Sequence, residues 1–232
     1  MDILEIKDLE TLAQKRVPKM FFDYVNSGSW TETTYNENIS DFQKIKLRQR
    51  VAIDMSNRTM ATKMVNQSVS MPVAIAPTGL TGMQRADGEI LAAQAAEEFG
   101  IPFTLSTMSV CSIEAVAEKT KNPFWFQLYV MKDKKFMARL IDRAKEAKCS
   151  ALVLTLDLQI LGQRHKDVRN GLSTPPKLIP KHIYQVLTRP MWCLRMLTTK
   201  NHFFGNIVGH VQGIKDVRSV SYTHLRAHET LA

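Results

Sequence analysis

Residues 123–157 read PFWFQLYVMKDKKFMARLIDRAKEAKCSALVLTLD, and the order of elements in this stretch decides the fold. PFWFQLYV (123–130) is a short, continuously apolar run, which predicts a buried strand. Asp133 stands where a helix N-cap belongs, and the helix it opens runs to about Ala147. CSALVLTLD (149–157) is a second apolar run and predicts a second strand. Strands that are apolar throughout, rather than alternating, suit a parallel sheet covered on both faces.

Working outward, the same unit recurs. IPFTLS (101–106) reads as a strand, and SIEAVAEK as a short helix with Ser112 at its N-cap. PVAIAP (72–77), closed by a proline, suits a buried strand leaving the sheet. A helix is predicted from about Asp87 to Phe99, with Ile90, Leu91, Ala95 and Phe99 at helical spacing and Gly100 just past its end. Residues 7 to 26 read as two short helices that break near Pro18, and Ser27-Gly28-Ser29 ends the run. The class is α/β, with four strands in view. An open doubly wound sheet and a (β/α) barrel both fit. No G-x-G-x-x-G follows the first strand, which counts against a dinucleotide fold.

In a barrel, chemistry sits at the carboxyl ends of the strands. Those ends are Ala76-Pro77-Thr78, Ser106-Thr107, Gln127-Leu128-Tyr129 and Thr155-Leu156-Asp157. Ser, Thr and Gln offer neutral donors and acceptors, the edge that a flat heteroaromatic cofactor needs. Tyr129 adds a phenol. Asp157 is a carboxylate suited to holding a histidine in one tautomer. Arg164, seven residues on, has the fork that pairs with a carboxylate. Each signal also has a plainer reading: a strand-end hydroxyl caps the next helix, Asp and Arg make a surface ion pair, and Tyr24 packs with its hydroxyl in water. Their convergence on one rim favours a site.

Composition sets outer limits. The chain has 232 residues, 44% apolar and 23% charged, an ordinary globular balance. No run approaches the roughly 18 apolar residues of a membrane-spanning helix. The start, MDILEIKDLE, has no apolar core of a secretory signal. Cys111, Cys149 and Cys193 show no pairing or metal-type spacing, so free thiols in a reducing, cytoplasmic compartment are expected, with no metal site. The net charge of +9 is spread along the chain without a nucleic-acid motif, so no nucleic-acid partner is expected. Residues 171–218 stand out, with seven basic residues against the single acid Asp216, among Ile183, Tyr184, Leu187, Met191, Trp192, Leu194 and Leu197. Such a basic, apolar insertion suits either packing on its own domain or subunit, or an anionic membrane surface.

At this point the blocks FDYVNSGSWTETTYNEN (22–38), PVAIAPTGLTGM (72–83), FTLSTMS (103–109), FWFQLYVMKD (124–133) and LTLDLQILGQRHKDVRN (154–170) can be taken together. In this order and spacing they resemble the FMN-dependent α-hydroxy-acid oxidase and dehydrogenase family. PMWCLRML (190–197) and FFGNIVGH (203–210) resemble its bacterial respiratory L-lactate dehydrogenase branch. The resemblance covers roughly residues 3 to 217. It implies a (β/α)₈ TIM barrel of the FMN-linked type and oxidation of an L-2-hydroxy acid, L-lactate to pyruvate. Electrons would pass from reduced FMN to a quinone or cytochrome, or to oxygen in an oxidase. It implies that the backbone of Ala76, Pro77 and Thr78 lies against the flavin, that Ser106, Gln127 and Thr155 bond its ring, and that Tyr24, Tyr129 and Arg164 attend to the substrate. Asp157 would orient a catalytic histidine that this chain lacks. Gln159 stands where the family commonly has proline, a change in loop stiffness more than chemistry.

The expected organisation is residues 1–218 as the N-terminal part of one barrel, truncated after about the fourth strand. Residues 171–218 would be a long insertion. Residues 219–232, SYTHLRAHETLA and the two before it, read as a non-native tail, so His224 and His228 carry no role. His165 is expected to be a plain loop histidine, and no carboxylate partner is evident for His202 or His210. Such a chain is expected to be inactive alone, a homo-oligomer when full length, and cytoplasmic or peripheral on the inner face of the cell membrane. The alternative is a catalytically dead half-barrel that acts by binding another chain.

Overall fold

The computed structural model describes residues 2–131, 133–156, 162–171 and 180–208. Its centre is a parallel sheet of β3 (Thr104–Ser106), β4 (Trp125–Tyr129) and β5 (Ala151–Thr155), in that order. Before it come α1 (Ile6–Arg16), α2 (Lys19–Val25), α3 (Thr33–Ser40), the antiparallel ribbon β1 (Thr62–Met64) and β2 (Gln67–Val69), α4 (Thr81–Gln84) and α5 (Gly88–Phe99). Helices α6 (Ile113–Lys119) and α7 (Lys134–Glu146) make the two crossovers. After the sheet come α8 (His165–Arg169), α9 (Pro180–Leu187) and α10 (Pro190–Thr198).

Local chemistry sets these bounds. The Ser112 hydroxyl accepts from the Ala115 N–H at 3.1 Å, and the Asp133 carboxylate from the Phe136 N–H at 2.9 Å, so α6 and α7 start where expected. Pro18 separates α1 from α2. Gly100 ends α5 at φ +77°, a conformation that suits glycine.

Two expectations need correction. PVAIAP does not form a full strand. It contributes a single parallel bridge, Ile75 opposite Phe103, with Ile75 N–H donating to the Pro102 carbonyl at 2.9 Å and Thr104 N–H to the Ile75 carbonyl at 3.0 Å. Pro72 and Pro77 bracket the segment and have no N–H to extend the ladder. In α5, the inward face is Ile90, Ala93 and Ala96, while Leu91, Ala95 and Phe99 are exposed, Phe99 by 58%. Two apolar stripes share that helix, and the small alanines let the inward one approach the sheet.

The core joins Leu105, Phe126 and Leu128 from the strands to Ile113, Val116, Phe136, Leu140 and Ala144 from the crossover helices. Ile207, from the segment after α10, belongs to the same core. β5 differs from its neighbours. Leu152 and Leu154 are exposed by 47% and 49%, and among the described residues only β4 pairs with it.

Candidate functional site

The parallel register aligns the strand ends. Ser106 lies opposite Gln127, and Tyr129 opposite Thr155. Their side chains form a continuous row. The Ser106 hydroxyl donates to Gln127 Oε1 at 3.2 Å, and Gln127 Nε2 donates to Thr155 Oγ1 at 2.7 Å. The Thr107 N–H also donates to Gln127 Oε1, at 3.2 Å, and its hydroxyl to the Gln127 carbonyl at 2.5 Å. The Gln127 amide, 1% exposed, is thereby fixed on both sides. The three residues expected to bond a flavin ring meet in one hydrogen-bonded row.

Beside the row runs the loop at residues 76–80. Ala76, Pro77 and Thr78 are exposed, so this stretch of the loop is accessible to a flat ligand, and the Thr81 hydroxyl donates to the Thr78 carbonyl at 3.1 Å. The Leu80 N–H donates to the Met108 carbonyl at 3.1 Å, which ties this loop to the one after β3. Leu80 has φ +57°, a left-handed conformation sparsely used by branched side chains.

Tyr24 reaches the same loop. A Cβ on Gly79 would lie 3.1 Å from the Tyr24 hydroxyl. Arg164 packs against this tyrosine. Its guanidinium stacks over the Tyr24 ring at 4.8 Å and donates to the Tyr24 carbonyl and, at 3.0 Å, to Ser27 Oγ. Arg164 Nε lies 2.7 Å from Asp167 Oδ2 but is not aligned for a hydrogen bond. Burial pushes the Tyr24 phenol up, against the opposing Arg164 charge, so the hydroxyl keeps its proton. Burial also raises Asp167, again opposed by Arg164. Tyr129 takes its place at the end of β4, its N–H 3.4 Å from the Thr107 hydroxyl.

The segment carrying Arg164 is anchored on α2. Asn170 Nδ2 donates to Asp23 Oδ2 at 2.7 Å, and Lys19 Nζ pairs with the same oxygen at 2.5 Å. His182 Nε2 lies 2.5 Å from the Asn170 carbonyl, so α9 is tied in as well. Asp157, expected to orient a histidine, and Gln159 lie outside the described residues, as do residues 209–232.

Three buried polar residues brace this rim without a signal in the sequence that marks them. Asn206 is fully buried. It donates to the Ser106 carbonyl at 3.3 Å and to Ser109 Oγ at 3.0 Å, and accepts from the Ile113 N–H at 2.9 Å. Glu89 and Asp23 are likewise buried acids in helices, where the sequence offers only an acid near a helix start or on a helix face.

Does this rim fit a flavin? The fixed Ser–Gln–Thr row supplies neutral donors and acceptors at the depth of the strand ends, and the exposed loop at 76–78 supplies a flat wall. Both suit a planar ring with a polar edge, and both lie at the carboxyl ends of the strands, where βα-type enzymes place their chemistry. The chain belongs to the FMN-dependent dehydrogenase family, whose model matches residues 13–227. FMN is the cofactor of that family. L-lactate dehydrogenase of Acinetobacter baumannii is 44% identical over 213 residues, covering 90% of this chain and 55% of the relative. L-lactate dehydrogenase of Acinetobacter baylyi is 42% identical over 220 residues, covering 93% and 57%. Among solved structures, the monotopic membrane protein (S)-mandelate dehydrogenase superposes with a TM-score of 0.87 at 30% identity, over 97% of this chain and 60% of that one. The (β/α)₈ barrel expected from the sequence is the fold of these neighbours, and the chain spans little more than half the length of the curated relatives it matches.

Proposed function

We propose that this chain supplies the first strands of an FMN-dependent dehydrogenase barrel that oxidises an L-2-hydroxy acid, with L-lactate as substrate and pyruvate as product. The observation that carries the reading is the Ser106–Gln127–Thr155 row beside the exposed loop of Ala76, Pro77 and Thr78. FMN, when bound, accepts the two electrons removed from the substrate carbon. Ser106, Gln127 and Thr155 would hold the polar edge of its ring, and the loop at 76–78 would support its face. Tyr24, whose hydroxyl lies by Gly79, and Tyr129 at the end of β4 would offer phenols to the substrate. Arg164 fixes Tyr24 and places a positive charge on the side where a carboxylate would bind. Asp157 would set the tautomer of a histidine supplied by the rest of the barrel.

The electron acceptor we propose is a quinone or cytochrome at a membrane. Support comes from α9 and α10. Ile183, Tyr184, Leu187, Met191, Leu194 and Leu197 are exposed, Leu197 by 82%. Next to them Lys15, Arg16, Arg85, Arg189 and Arg195 surround a cavity of about 640 Å³ with no acid in its lining. Apolar side chains ringed by cations suit an anionic lipid surface. Among the described residues, no helix is long and apolar enough to cross a membrane. A monotopic relative points the same way.

The test is steady-state turnover of the full-length gene product with a dye acceptor and a panel of L-lactate, glycolate and (S)-mandelate. The highest kcat/KM is expected for L-lactate, and no turnover of any 2-hydroxy acid would refute the reading. A half-barrel that acts only by association would show no turnover.

A further inference from the structure

We propose that Glu89 is the positioning residue that sets the spacing between the two rim loops against which the flavin lies, an inference that rests on the cofactor reading above. Glu89 sits in the first turn of α5 and is 2% exposed. A carboxylate this deep must be held by hydrogen bonds. Its Oε1 accepts two backbone N–H groups, from Gly82 and from Val110, each at 2.9 Å. Gly82 lies in the first turn of α4, two residues after the loop of Ala76–Leu80. Val110 ends the loop that begins at Ser106. One oxygen is therefore shared by both loops.

The loops are in contact at this point. A Cβ on Gly82 would lie 2.6 Å from the Val110 Cβ and 3.0 Å from Glu89 Oε2. The Leu80 N–H to Met108 carbonyl bond is a second tie one step nearer the rim. Together they hold the exposed 76–78 loop at a fixed offset from the Ser106–Gln127–Thr155 row. The row bonds the edge of a ring, and the loop supports its face. An offset set wrongly would satisfy one and lose the other. Cys111, next to Val110, is buried and held as a thiol by that burial and by the neighbouring Glu89 charge.

The role belongs to Oε1, so glutamine should replace glutamate and leucine should not. In Glu89→Gln the amide oxygen keeps both N–H partners, and the new NH₂ takes the place of Oε2, a buried atom that already makes no hydrogen bond, so one unmade group replaces another. In Glu89→Leu both N–H groups are left buried and unmade.

The experiment uses the full-length gene product as apoprotein and as FMN holoprotein. It measures FMN affinity by flavin fluorescence, the visible flavin spectrum, and amide hydrogen exchange. Glu89→Leu is expected to weaken FMN binding by about tenfold or more, to shift the visible flavin band, and to speed exchange at Gly82 and Val110 while Leu105 and Phe126 stay protected. Glu89→Gln is expected to stay within about threefold of the parent on each readout. Leucine-variant protein with parental affinity and spectrum would overturn the role, and so would a glutamine variant as weak as the leucine one. Parent protein that takes up no FMN would overturn the cofactor reading and this role with it, whereas a flavin-binding parent with a silent Glu89→Leu overturns the role of Glu89 alone.

Discussion

Gln127 carries more of the rim than any other side chain. Its amide joins Ser106 to Thr155 and accepts the Thr107 N–H. Gln127→Leu should cost about 1–3 kcal/mol of stability, because buried polar partners are left unmade. It should also weaken FMN binding. Urea unfolding together with FMN titration checks both, and a variant with parental values on each contradicts the role. Arg164 is tested differently. Arg164→Lys keeps a charge but loses the planar fork that stacks on Tyr24 and bonds Ser27. The KM for the hydroxy acid should rise by about tenfold with a smaller change in kcat, as expected for a lost charge-assisted contact. An unchanged KM would place the arginine outside the substrate side. Ser106, Gln127 and Thr155 could be singled out in the sequence because each is a polar residue in or at the end of an otherwise apolar run, and the register of the sheet brings them into one row. Glu89 and Asn206 could not. An acid in a helix's first turn reads as an ordinary complement to the helix dipole, and an asparagine in a loop reads as a turn residue. Only the chain's path shows what they hold.

At the scale of elements, strand and helix order followed from apolar runs and caps, because Ser112 and Asp133 are local signals that need no tertiary context. The phase of α5 did not follow. Ile90, Ala93 and Ala96 compete with Leu91, Ala95 and Phe99, and periodicity cannot choose between two apolar stripes. The bridge at Ile75 fell short of a strand for the same kind of reason, since flanking prolines limit a ladder that composition alone would permit. One inter-element contact makes a pH prediction. The Arg143 guanidinium beside Glu114 joins α7 to α6 with Nε–Oε1 at 2.6 Å and holds the carboxyl down from 4.5 to about 2. A carboxyl lowered on folding gives stability that is full above its unfolded value and is lost as pH falls toward the folded one. The pair is half exposed, so screening keeps its worth to no more than about 1 kcal/mol. Parent protein should therefore lose slightly more stability than Glu114→Gln between pH 4.5 and 2. Equal acid slopes in thermal melts of the two proteins would contradict this.

For the molecule as a whole, the described strands make one side of a barrel, and Leu152 and Leu154 on β5 present apolar surface beyond the last pairing. In a longer protein of this family that surface is expected to be covered by further strands and their helices; this chain covers 55% of the Acinetobacter baumannii relative. The exposed face of α9 and α10 is expected to bind vesicles containing anionic lipid and to release them as salt rises. Cosedimentation checks this, and equal binding to neutral vesicles at high salt would contradict the electrostatic part. The central claim is that the rim built by Ser106, Gln127 and Thr155 belongs to a flavin site that oxidises a 2-hydroxy acid. Its most direct test is the visible spectrum of the purified full-length protein before and after L-lactate is added without oxygen. The account predicts a flavin band that bleaches on addition. A well-folded full-length protein with no flavin band, even after incubation with FMN, would contradict it.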